Sequence, residues 1–257
     1  MLQVKKRFWG TRPGFDMGDV LHIAVNVIFV AVIYAMVAYW GLAPLAVVLV
    51  LLSKWRVFAV QPRFWFPNIK ANLVDAIVGI STIVIAYQVK HDWLAIVWLV
   101  LYLGWLLFLK PQSQEFWVGM QALWAQFLGM VALFMVASVV NQPFVVCLGV
   151  WLVTWSAARH FLSNYEEPHY RSLSLIWAFI VTQLVWVTLH WTQYYLIFDM
   201  KIVLVAVIIG ISSASLGGVY HAYKTNTLQK GVLLENGLFA GALLAVILAT
   251  AHWTTRL

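Results

Sequence analysis

Asp19, His22 and Asn26 fall at i, i+3 and i+7, a spacing that sets all three along one face of a helix. Asn68, Asn72 and Asp75 repeat the arrangement further on, with Gly79 and Thr82 continuing the stripe. A carboxylate flanked by imidazole and amide groups can take up and release a proton, or hold a polar substrate, inside an otherwise apolar chain. Lys54 and Arg56, together with Arg63, are the cations expected to neutralise Asp75. The same residues also fit a polar core that fixes helix register, with the cations snorkelling to an interface. Both accounts stay open on the residues alone.

A second polar concentration is the stretch 156–174, "SAARHFLSNYEEPHYRSLS", which holds Arg159, His160, Glu166, Glu167, His169 and Arg171. Much of it is turn chemistry. Arg159 and His160 complement a helix C-terminus, Ser163 and Asn164 end the helix, Pro168 forbids its continuation, and Ser172 suits the next N-cap. Glu166 and Glu167 are expected to pair with Arg159, Arg171 or basic residues of neighbouring loops. With His221, the residues His160, Glu167 and His169 have the donor types of a metal site. The spacing matches no HExxH motif or histidine box, and Cys147 is the single cysteine, so neither metal nor cofactor is expected. Arg159 and Arg171 could instead hold an anionic lipid head group or a soluble protein partner.

The elements that carry these residues follow from composition. Apolar residues make up 63% of the 257, and charged residues 10%. Mean hydropathy is +0.88, far beyond what a soluble core of this length can bury. An all-α integral membrane bundle is therefore expected, a single domain over 1–257. It comprises a basic segment 1–17, a helix bundle 18–253 and the polar hairpin 156–174. Apolar runs predict nine spans, near 18–40, 43–60, 71–89, 92–109, 115–140, 143–162, 172–197, 201–223 and 236–253. The run 43–60 has a short apolar core and fits a tilted span or a re-entrant segment.

With the N-terminus inside, 13 of the 16 basic residues fall on one side, and only Lys90, Lys201 and Arg256 on the other. That separation predicts N-in and C-out in the cell membrane. Tryptophans near the span ends fit an interfacial belt. Scattered basic residues argue against nucleic acid, and the chain has no GxxxxGK phosphate loop. Gly210, Ala214 and Gly218 in span eight, and Gly237 and Gly241 in span nine, recur every four residues, so the two small-residue faces are expected to pack together.

The segments "FWGTRPGFD", "SKWRVFAVQPRFW" and "ARHFLSNYEEPHYRS" resemble those of uncharacterised multi-pass membrane proteins from reduced-genome, candidate-phylum bacteria. The resemblance covers most of the chain and implies no activity. Three functions are therefore weighed. The first is a carrier or permease for a small or lipid-like substrate, working through the two polar faces. The second is a non-catalytic membrane subunit docking a partner on the hairpin. The third is a membrane enzyme with a His/Glu site at the cytoplasmic face.

Overall fold

In lipid a backbone must satisfy its own hydrogen bonds, and this chain does so almost wholly with helices. The computed structural model describes residues 17–140, 142–189, 194–197 and 200–250. The basic N-terminal residues up to 16, His190, Gln193 and His252 lie outside these, as does the side chain of Arg56.

The described residues open with α1 (Met17–Tyr34), which runs into a π-helical turn, Ala35–Tyr39. Next come α2 (Ala43–Leu52), α3 (Trp65–Gln88) and α4 (Asp92–Gly104), the last prolonged by a second π-helical turn, Trp105–Leu109. Then follow α5 (Glu115–Val140), α6 (Pro143–Asn164), α7 (Tyr170–Thr188), strands β1 (Tyr194–Ile197) and β2 (Met200–Val203), α8 (Leu204–Lys224) and α9 (Lys230–Thr250). Among the described residues eight of these helices are long and apolar enough to cross a membrane.

Two expectations are corrected here. The run 43–60 is helical only to Leu52, so α2 extends about 15 Å, half of a hydrocarbon core of about 30 Å. Beyond it Ser53 turns its hydroxyl back to the Val50 carbonyl (2.6 Å), and the chain continues in short 3₁₀ turns, Trp55–Val57 and Pro62–Phe64. The run 172–197 is likewise not one helix. It ends at Thr188, and the aromatic and β-branched residues after it form an antiparallel hairpin in which Tyr194 faces Val203 and Ile197 faces Met200. Tyr195 fastens that hairpin to α9 by donating to the Ile247 carbonyl at 2.6 Å.

Contacts between distant residues define two ends of the bundle. Lys54 after α2 and Lys110 after α4 converge on Asp75. Arg159 of α6 donates to the Lys70 carbonyl of α3 (3.2 Å), Glu115 opening α5 lies 3.6 Å from His221 of α8, and Lys224 closing α8 pairs with Glu167. All of these share one end, while the β-hairpin and the end of α9 form the other. Basic residues dominate the first end.

α3 and α5 are the most enclosed helices, and α9 is peripheral. α3 packs on α2, α4, α5 and α6. Its approach to α2 and α4 is so close at Gly79 that a Cβ there would sit 2.7 Å from the Tyr102 hydroxyl and 2.8 Å from Val50 Cγ1.

The small-residue faces do not meet as expected. α8 and α9 are neighbours, yet a Cβ on Gly237 or Gly241 would find nothing within 4 Å. A Cβ on Gly210 would lie 3.7 Å from Phe127 of α5, and only Gly218 approaches α9, at Asn236. Asn236 faces α8: its backbone carbonyl accepts from Ser215 (3.2 Å) and its side chain lies over Gly218, while Gly237 and Gly241 are on the outside. Ala214 lines a small gap between the two helices with Ala240 and Phe239.

Candidate functional site

Asp75 projects from α3 into the bundle and is 8% exposed. Lys54 contacts its Oδ2, Lys110 Nζ lies 2.9 Å from the same oxygen, and the Trp105 indole N–H donates to Oδ1 at 2.9 Å. The π-helical turn explains how α4 supplies two of these groups. In an α-helix, residues five apart point about 140° from each other. The wider turn closes an i to i+5 bond, Lys110 N–H to the Trp105 carbonyl at 2.9 Å, and so brings Lys110 back over Trp105.

One carboxylate faces two lysines, so the trio has a formal charge of +1 when all three groups are ionised. The Lys54 and Asp75 side chains are each 11% exposed, and that of Lys110 is 41% exposed. Lys110 is thus the most accessible member of the trio. Gln121 of α5 steadies this corner by donating to the carbonyls of Leu109 (2.6 Å) and Gln112 (3.0 Å), while its own oxygen meets the His160 ring at 3.0 Å.

Beside the cluster lies a cavity of about 230 Å³ between α3, α4 and α5. Thr82, Trp98, Tyr102, Trp105, Phe108 and Trp124 are among its walls. Trp105 belongs to both features, one edge on Asp75 and its ring against the cavity. The cavity opens sideways, since Val100, Leu101 and Phe108 on its rim are more than half exposed. No family model matches this chain, and neither a curated protein nor a solved structure matches it.

The other sequence-predicted residues are placed as follows. On α1, Asn26 donates to the His22 carbonyl at 2.8 Å, and its amide lies 3.4 Å from the His22 ring. That contact is local, and Asp19 lies near the start of the same helix. Asn72 likewise bonds within α3, to the Asn68 carbonyl (2.9 Å). The structure therefore joins Asp75 with Lys54 and leaves the two amide stripes as intrahelical bonds. Gln126 bridges α5 to Ser213 of α8 at 2.9 Å, an interhelical bond of the kind expected for it.

In the hairpin, Glu167 accepts from Tyr220 and from Lys224, both at 2.5 Å, and these two bonds hold its carboxyl below the usual glutamate range. Arg171 reaches the Tyr170 hydroxyl and Arg159 the Lys70 carbonyl, so neither is the partner of Glu167. Glu166 is exposed and holds φ at 51°. His169, not Ser172, occupies the N-cap of α7, and it makes no capping side-chain bond. His221 meets the Tyr165 hydroxyl at 2.8 Å, and His160 meets Gln121. His160, Glu167 and His221 therefore turn to separate partners. Among the described residues no three His, Cys, Asp or Glu side chains gather as metal ligands.

Sequence reasoning missed Trp105 and Lys110 at Asp75, and Tyr220 and Lys224 at Glu167. Lys110 carried a signal, since it is a cation at the end of an apolar run on the same side as Lys54.

Proposed function

We propose that this protein is a carrier for a small or lipid-like substrate in the cell membrane, with Lys54, Asp75 and Lys110 as its charged site. In this arrangement α2 and the turns after it complete a short ninth pass, so that the N-terminus faces the cytoplasm, the C-terminus faces outside and the basic end is inward. The observation that carries the reading is the enclosed carboxylate held by two lysines of unequal exposure. Ionised side chains are costly within a membrane protein, and they concentrate where ions, protons or substrates pass. An anionic group arriving at Lys110 would find a cation already in place and could share or displace Asp75. The hairpin supports a docking role less well, because Glu167 is satisfied by the protein's own Lys224 and Tyr220.

The test is reconstitution of the purified protein in vesicles with fluorescent short-chain phospholipids, following their passage between leaflets. Asp75→Asn keeps the acceptor for Trp105 and removes the charge. Passage by the native protein and its loss in a folded Asp75→Asn variant is the expected result. Equal passage in the two proteins overturns the proposal.

A further inference from the structure

The sideways cavity and the charged trio sit together, and their combination specifies a ligand. Trp98 and Tyr102 of α4 and Trp105 of the π-helical turn follow at i, i+4 and i+7 and line the cavity. Lys110 is not among the lining residues and is joined to that wall through Asp75, the shared partner of Trp105 and Lys110. About 230 Å³ is below the 300–1,000 Å³ of pockets that enclose a whole drug-sized ligand, so it suits one segment of a chain entering from the side. The rim faces outward from the bundle, being built of exposed Val100, Leu101 and Phe108. The Trp98 and Tyr102 rings give the wall its aromatic surface, while the Tyr102 hydroxyl sits against Gly79 of α3, which is not among the lining residues.

We infer that the cavity seats part of an anionic phospholipid. One acyl chain lies against the aromatic wall between α4 and α5, and the phosphate pairs with Lys110 beyond Trp105. The occupant is set by shape and charge together: a laterally open apolar cavity takes an acyl chain, and the neighbouring cluster, which has one lysine more than it has carboxylates, takes an anionic head group. This inference rests on the carrier reading and names the substrate class of that site.

The experiment is photo-crosslinking of the intact protein in nanodiscs with phosphatidylglycerol bearing a diazirine in one chain, and adducts are mapped by peptide mass spectrometry. Phosphatidylcholine and a free fatty acid carrying the same photoactive chain are run in parallel. Adducts from phosphatidylglycerol are expected on α4 and the facing part of α5, in preference to those from phosphatidylcholine. Lys110→Gln should lower that capture about tenfold or more, the scale of a lost charge-assisted bond. Gly104→Leu offers an independent check. Gly104 lines the cavity and a Cβ there meets nothing within 4 Å, so the larger side chain can fill the space without disturbing the fold. It should remove the adducts while leaving the thermal melt unchanged.

Equal labelling by phosphatidylcholine, or labelling indifferent to both substitutions, would show ordinary boundary lipid and overturn the inference. Capture of the free fatty acid with none of the phospholipid would overturn it too. Crosslinking as expected without passage between leaflets would sink the carrier reading alone. Asp75-dependent passage without site-specific crosslinking would sink this inference alone.

Discussion

Asp75 and Glu167 are both carboxylates held by lysine at the same end of the bundle, and their surroundings differ in one decisive respect. Glu167 has one lysine and one tyrosine, both on its own oxygen, in a loop that the chain must turn anyway. Asp75 has two lysines and an indole, lies between packed helices, and borders a cavity. The first arrangement is closed, because the charges cancel and every group comes from elements already adjacent. The second has one more lysine than carboxylate and gathers groups from three separate segments. A closed pair is accounted for by the fold, whereas the unbalanced one beside a cavity is the place where the proposed ligand is put.

The sharpest way to break this comparison is to remove Asp75 outright. Asp75→Ala should strand Lys54 in the bundle and cost about 3–5 kcal/mol, as breaking buried pairs does. The double substitution Asp75→Leu with Lys54→Met replaces charge by volume and should recover most of that loss. Unfolding followed by tryptophan fluorescence across a denaturant series checks both. If the double variant is as unstable as the single one, apolar packing and not charge dominates at this place.

A middle-sized effect contrasts the crowded surroundings of Asp75 with the open periphery. Gly79→Ala drives a methyl group against Tyr102 and Val50 and should cost about 1–3 kcal/mol by overpacking. Gly237→Ala meets nothing and should leave stability unchanged, or raise it by up to about 1 kcal/mol through helix propensity. Equal losses in the two variants would mean that α9 packs through Gly237 after all.

Why one site was half legible in the sequence and the other was not follows from how each is assembled. The helices could be read because lipid demands long apolar runs, and those runs are visible without knowing their neighbours. Asp75 stood out for the same reason, as a charge within such a run, and Lys54 was near enough along the chain to suggest itself. Trp105 and Lys110 escaped because a π-helical turn brings them together, and a 3.6-residue period sets residues five apart on different faces. The β-hairpin escaped because its aromatic and β-branched residues are as apolar as the helix before it, so hydropathy alone merged the two. Gly237 and Gly241 misled because their spacing specifies a face but not its direction. The residue that faces α8 is Asn236, one position away from Gly237.

The smallest effect concerns Glu167 and tests the closed half of the comparison. Hydrogen bonds from Lys224 and Tyr220 favour its charged form, so its folded pKa lies below that of a free glutamate, near 4.3. A depressed pKa means that the unfolded or opened loop binds the proton more readily than the folded one. The stabilisation is therefore fully present above the free-glutamate value and is lost as pH falls through it towards the folded pKa. Amide hydrogen exchange in 162–170 should be slow and flat with pH at neutrality, after correction for intrinsic rates, and should accelerate below about pH 4. Glu167→Gln should exchange faster at neutral pH and lose the acid step, while peptides around Asp75 remain unchanged. Should the acid step persist in that variant, another group holds the hairpin shut, and the contrast between a closed pair and an unbalanced one would have to be redrawn around that group.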